Sequence, residues 1–344
     1  MHTRAASWLR HRLGRAVVLS YALALILPAP GLWLRRPHPL PPSHLTVHTA
    51  PLLLSLVLFS AGLQVPVRAL GALLRDPKAL IAGLVLHLAV PLAVVPFVAF
   101  LLRRTPDTDG GSGLLTAMIL VVAMPVAAGA TVWTDKGEGD QPTMVGLVLT
   151  STLLSPMTTP VLLATLSPLL SGGYAHTLAA TGRLAQGGFA LTAVVLPCAA
   201  GLLGALVLPA RRLGRLVTTV APSAMAGSLV LTYVNASGAL GSVLTRPRPL
   251  LFAAALAVAA LVCLLSFVLG RVAAHLLRLE AATASSLTLA CGMNNSSASA
   301  VLITASLPDK PHLLLPVLAY GLMQKTAANR IVTRLRPAPT AAGT

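Results

Sequence analysis

Gly292-Met293-Asn294-Asn295-Ser296-Ser297 interrupts a run that is otherwise largely apolar from Ala281 to Leu307. In a water-soluble chain such a stretch would be an ordinary loop. Here the rest of the sequence excludes that reading. Of 344 residues, 56% are hydrophobic and only 10% are charged, whereas soluble domains carry about 25% charged residues. Mean hydropathy is +0.82. A membrane span needs roughly 20 apolar residues, and such stretches recur almost end to end. Lipid offers backbone groups no water partner, so the spans are helices or a closed barrel. Barrel strands alternate apolar and polar residues; Leu52-Leu53-Leu54-Ser55-Leu56-Val57-Leu58-Phe59 does not. The expected class is an all-α polytopic membrane protein.

Apolar runs and their punctuation predict ten transmembrane helices near 15–34, 49–66, 78–102, 113–133, 143–170, 188–209, 215–236, 249–277, 281–307 and 311–332, joined by short connections. The run after Arg4, Arg10, Arg12 and Arg15 extends to Leu34, which suits a retained first helix better than a cleaved leader. Lys and Arg mark the cytoplasmic side. With the N-terminus inside, 17 of the 25 basic residues fall in cytoplasmic segments and 8 in outer loops. Both termini are therefore expected in the cytoplasm and the chain in the cell (inner) membrane. The net charge of +17 is accounted for by orientation signals and anionic lipid. No basic face interleaved with aromatics supports a nucleic-acid partner. Cys198, Cys263 and Cys291 lie in apolar spans without metal-ligand spacing, so they read as small buried hydrophobes.

The spans divide into two sets of five, which predicts two inverted repeats, 1–172 and 173–344 with a short basic tail. An odd number of spans per half inserts the halves in opposite orientations. Arg75-Asp76-Pro77-Lys78 opens the third span and Arg246-Pro247-Arg248-Pro249 the eighth, about 170 residues later. Met124-Pro125-Val126-Ala127-Ala128-Gly129 interrupts the fourth span, and Met293-Asn294-Asn295-Ser296 the ninth, 169 residues later. Pro125 removes a donor and clashes with the preceding turn; Gly129 and its alanine neighbours admit close backbone approach. Gly292, Asn294 and Asn295 have poor helix propensity. One break per half is the best sequence pointer to a transporter binding site, because polar groups at membrane depth must line a cavity or find partners. The freed helix N-termini would favour an anionic solute.

The motifs then resemble a family. Gly292-Met293-Asn294-Asn295 with Leu314-Leu315-Pro316 is similar to the bile acid:sodium symporter family. So are Phe59-Ser60-Ala61-Gly62-Leu63 with Arg75-Asp76-Pro77, and Met124-Pro125-Val126 through Ser151-Thr152-Leu153-Leu154-Ser155-Pro156-Met157-Thr158-Thr159-Pro160. The resemblance runs over roughly residues 15–332. It implies ten helices in two inverted halves, broken and crossing fourth and ninth spans, a core and a panel, and sodium-coupled uptake of organic anions. It also implies a sodium shell whose positions fall on Ala290, Ala130, Thr131, Met144 and Val148, with further side chains at Asn294 and at Leu86 or His87. Of the five shell positions only Thr131 keeps a side-chain oxygen. Apart from sodium, no cofactor is implied.

The reading is therefore a secondary transporter of a small organic anion within the lipid bilayer, with the usual sodium ligands replaced. Its candidate solute or ion contacts are Thr131, Asn294, Asn295, Ser296, Ser297 and Ser299. His87, Thr152 and Gln324 stand in a second rank, and Pro125, Gly129 and Gly292 make the breaks. His87 is an ionisable group inside an early span, a proton-relay candidate or a hydrogen-bonded core histidine. Lys325 is expected to snorkel to the cytoplasmic interface. Asp135-Lys136-Gly137-Glu138-Gly139-Asp140 lacks EF-hand spacing and reads as a solvated cytoplasmic turn. A proton-driven or uncoupled carrier and a non-transporting sensor or scaffold keep the same fold. A membrane enzyme is disfavoured: no His-Glu-x-x-His, Gly-x-Ser-x-Gly or intramembrane Asp pair is present.

Overall fold

A computed structural model describes residues 13–40, 45–66, 71, 77–103, 112–171, 173–186, 188, 190–245, 249–307 and 309–335. The basic–proline motif at 246–248 and the first two residues of that at 75–78 lie outside the described residues. The elements follow the apolar runs: α1 (Leu13–Ile26), α2 (Pro28–Arg35), α3 (Thr49–Leu63), α4 (Lys78–Leu102), α5 (Ser112–Val122), α6 (Ala130–Lys136), α7 (Gln141–Leu166), α8 (Gly173–Gln186), α9 (Leu196–Val207), α10 (Ala210–Thr245), α11 (Pro249–Leu276), α12 (Ala281–Gly292), α13 (Ser296–Ser306) and α14 (Leu314–Leu335). A π-helical turn, Ala190–Val195, leads into α9. The one addition to an otherwise helical architecture is a three-residue antiparallel pair, β1 (His38–Leu40) with β2 (Leu45–Val47).

Among the described residues five helices are long and apolar enough to cross a membrane, six if a bent pair counts as one span. That pair is the expected first span, which turns by 93° between Ile26 and Pro28. Pro28 lacks the N–H that would continue α1, and it sits at the N-terminal position a helix tolerates. The fourth and ninth expected spans are each split, α5 with α6 and α12 with α13. A second departure is α8, a 14-residue helix where a short connection was expected. Its Tyr174, Leu178 and Thr181 are buried against the core while the other face is polar or exposed, a pattern that lacks the uniform hydropathy of a span.

The helices sort by packing. α1, α2 and α3 pack on α10, and α3 also packs on α9. The α3–α9 contact is backbone to backbone: a Cβ on Gly62 would run into the Cys198 carbonyl, and one on Gly201 into that of Phe59. Small residues give this approach in lipid, where dispersion rather than the hydrophobic effect holds helices together. Around the two breaks, α4 packs on α7, α11 and α12, α7 packs on α12, and α11 packs on α12 and α14. The three cysteines are buried and unpaired.

Candidate functional site

The two breaks meet. Val126 and Asn294 form a single antiparallel bridge. The Ala127 N–H donates to the Met293 carbonyl at 2.8 Å, and the Asn295 N–H donates to the Pro125 carbonyl at 2.9 Å. Each break thus supplies the backbone partner that lipid cannot, which is what makes non-helical chain tolerable at this depth.

The groups left over are met by side chains from neighbouring helices. On the first break, the Thr159 hydroxyl donates to the Ala123 carbonyl at 2.9 Å and Ser151 Oγ accepts from the Val126 N–H at 3.1 Å, both from α7. His87 of α4 is buried beside the Met124 backbone. On the second break, the Tyr320 hydroxyl donates to the Gly292 carbonyl at 3.0 Å and accepts from Asn294 Nδ2 at 2.9 Å. Gln324 Nε2 donates to the Asn294 carbonyl at 3.1 Å and lies 3.4 Å from Ser296 Oγ. Asn295 Oδ1 caps α13 through the Ala298 N–H at 3.0 Å, the ordinary use of an Asn at that position.

The structure brings the expected site residues together and separates them into two kinds. Asn294, Asn295, Ser299, Gln324, His87 and Thr152 are buried. Of these, Asn294, Asn295 and Gln324 spend hydrogen bonds on holding the breaks. Thr131, Ser296 and Ser297 are partly open, as are Ala127 and Ala128, while Gly129 is exposed. Thr131 Oγ1 donates to the Ala128 carbonyl at 2.8 Å. The Ser297 N–H, at the start of α13, has no acceptor among the described residues. Ser299 Oγ and Gln324 Oε1 are buried without a hydrogen-bond partner. A small cavity beside the crossing is lined by Met124, Pro125, Ser155, Thr159, Ala298 and Leu302, together with Ala190 and Val194 of the π-helical turn.

Two glycine expectations divide. A Cβ on Gly292 would strike the Phe267 ring, so that break demands glycine by contact. Gly129 has open space around it and an ordinary helical φ of −63°; Pro125 and the cross-pairing, not Gly129, make the first break. Tyr320 was not singled out by the sequence, though it is one of 4 tyrosines in the chain and lies in mid-helix. Ser151 and Thr159 entered only as members of the family-like run from Ser151 to Pro160, with no role attached.

A family model, the sodium bile acid symporter family, matches residues 51–246. The chain belongs to that family. The match takes in α3 through α10 and therefore the first break, with its partners on α4 and α7. No curated protein matches the chain. As a family member with long apolar helices, it is an integral membrane protein whose relatives are transporters rather than enzymes.

The side chains at the implied shell suit sodium, the ion in the family's description, poorly. Ala130, Met144, Val148 and Ala290 are all buried and carry no side-chain oxygen. Thr131 supplies a single hydroxyl, with its proton on the Ala128 carbonyl, and one oxygen is too few for a sodium shell. Sodium takes oxygen ligands, so this symporter-family chain does not hold the ion with those five side chains. Among the described residues no group of His, Cys, Asp and Glu could hold a metal either.

Proposed function

We propose that this chain is a secondary transporter for a small organic anion, carried past the α5/α6 and α12/α13 crossing by alternating access. The observation that carries the reading is the Val126–Asn294 pairing of two interrupted helices, with Thr131, Ser296, Ser297 and the free Ser297 N–H on its open side. Backbone donors and hydroxyls at a helix N-terminus suit a carboxylate. The halves 1–172 and 173–344 act as inverted repeats of five spans each. In a helix-rich chain with 17 of its basic residues in alternate segments, both termini face the cytoplasm of the inner membrane.

Purified protein in proteoliposomes, assayed by counterflow against a panel of small carboxylates, tests this. Saturable uptake of one of them, weakened about tenfold in KM by Ser297→Ala with Thr131→Val, is the expected result. That corresponds to roughly 1.4 kcal/mol of lost binding. No uptake across the panel, with folded protein, would favour a non-transporting sensor of the same fold.

A second reading of the driver has its own observation. Ala290, Met144 and Val148 place apolar side chains where the resemblance implied sodium ligands, which favours a proton-driven or uncoupled carrier through the crossing itself. Imposing sodium and pH gradients separately across the same vesicles decides between drivers.

A further inference from the structure

The open side of the crossing lies at the start of α13, and the other end of that helix is shut. Thr304, in the last turn of α13, lies about 10 Å along the axis from Ser297 at the usual helical rise. There α10 packs on α13, on α14 and on the Pro311–Leu313 turn between them, with Leu307 and Leu313 buried. A charged side chain enters this seam. Arg35, the last residue of α2, donates from Nη2 to Thr304 Oγ1 at 3.1 Å. Thr304 Oγ1 donates in turn to the Ala300 carbonyl at 2.8 Å, so its lone pairs are left for the guanidinium.

Arg35 is carried by α10. The Tyr233 hydroxyl of α10 donates to the Leu27 carbonyl at the bend of the first span and accepts from the Gly31 N–H at 3.2 Å. A Cβ on Gly31 would strike Ser237, so α2 lies directly against α10. From there Arg35 passes over Gly238, where a Cβ would fall 1.2 Å from its Nη1. Any side chain at 238 closes that path. An arginine at the end of a span ordinarily turns its charge toward water and headgroups. Arg36 is exposed in that way, whereas Arg35 is half-buried and turned inward. Among the described residues no carboxylate pairs with Arg35. What faces its charge is the C-terminal end of α13, the negative end of the helix dipole. In lipid, apolar contact gives two groups of helices little net drive to stay together. A charge-assisted hydrogen bond across the seam therefore decides more there than it would in a soluble core.

We propose that Arg35 is a latch: its bond to Thr304 across Gly238 holds α2 and α10 against α13 and keeps that end of the crossing shut while the Ser297 end is open. The inference rests on the alternating-access reading, in which this seam parts once in each cycle. The partner chosen suits a contact that is broken and remade. Releasing a neutral hydroxyl leaves no buried carboxylate without its cation, and the freed guanidinium is at a span end where it can turn to water. Tyr21 also joins the two groups of helices, donating to the Leu318 carbonyl at 3.1 Å, but it carries no charge.

The test reads the seam without any solute. Spin labels on Leu32→Cys and Asp309→Cys, both exposed and on opposite sides of the seam, report its width by pulsed electron–electron resonance on the full chain in nanodiscs. The three native cysteines are buried, and the chain without the two added cysteines measures any label they take up. With Arg35 present a single short distance is expected to dominate. Arg35→Gln, which is too short to reach Thr304, is expected to raise the ratio of long to short distances about tenfold, the effect of losing one hydrogen bond to a charged group. Thr304→Val should do the same, and the double variant should add nothing, since both remove one bond. Gly238→Ala favours the helix yet displaces the guanidinium, and should also open the seam. Unchanged distances in these folded variants overturn the latch, as does a lowered unfolding midpoint with the distances unmoved. If Arg35→Gln does not fold, Gly238→Ala decides alone. Uptake with distances unchanged in the variants leaves the transporter reading standing and removes the latch. Opening in the variants with no uptake by any of them does the reverse.

Discussion

Val126 and Asn294 lie 168 positions apart in sequence and are paired as one antiparallel bridge across two interrupted helices. The pairing gives each break a hydrogen-bonding partner in the other. A helix that stops in the membrane strands backbone groups at a cost of several kcal/mol each. Two helices that stop at the same place and cross can cancel part of that cost. What they do not cancel falls to a ring of side chains, and these are where substitution is most informative.

Tyr320 bridges the Gly292 carbonyl and the Asn294 amide. Tyr320→Phe removes one hydroxyl and leaves a buried donor and acceptor short of a partner. We expect a loss of about 1–3 kcal/mol, read as a lowered unfolding midpoint in detergent. An unchanged midpoint would show that the bridge contributes nothing.

Thr159 and Ser151 do the corresponding work on the first break. Thr159→Val keeps the shape and removes the donor to the Ala123 carbonyl. A destabilisation of about 1–2 kcal/mol is expected. The double variant with Ser151→Ala should be close to the sum unless the two groups share a relaxation. Thermal denaturation of the single and double variants measures the coupling.

Asn295 and Ser297 should separate structure from solute contact. Asn295→Ala loses the α13 cap, worth about 0.5–2 kcal/mol, and should lower both stability and uptake. Ser297→Ala leaves the hydrogen bonds of the break intact and should alter KM while the unfolding midpoint stays put. Equal loss of stability in both would contradict the division between buried organisers and open contacts.

His87 is buried in α4 beside the Met124 backbone. If that polar contact is its whole role, His87→Gln, which retains a donor, keeps uptake and its pH profile, whereas His87→Phe destabilises the first break. We expect that pattern. A pH profile that flattens in His87→Gln with full stability would instead assign His87 to proton transfer.

At the α3–α9 contact, Gly62→Val should prevent correct packing, because the added carbon meets a carbonyl rather than a flexible side chain. The expected cost exceeds the about 1–3 kcal/mol typical of overpacking, seen as loss of monodisperse protein on size-exclusion chromatography.

Much of the helical layout was legible because hydropathy is a local property. The run at 78–102 reappears as α4 with the same ends, and that at 249–277 as α11, one residue shorter. The breaks were legible too, since Pro125 and Gly292-Met293-Asn294-Asn295 oppose helix wherever they stand. Less legible was α8, whose apolar face is only one side of the helix and so lowers the averaged hydropathy. The bend at Pro28 was hidden because proline at a helix start and proline at a kink look alike in sequence.

The sequence by itself determined that this is a helical membrane protein with two interrupted spans, because lipid punishes polar residues and charge whatever their neighbours. It also determined that Ala290, Met144 and Val148 lack sodium-ligating oxygens, because that is a matter of side-chain chemistry alone. Only the tertiary structure decided what each polar residue of the breaks does. Whether an amide faces a solute or a carbonyl depends on which helix lies opposite, and residues as distant as Asn294 and Tyr320, or Arg35 and Thr304, become neighbours only when the helices pack.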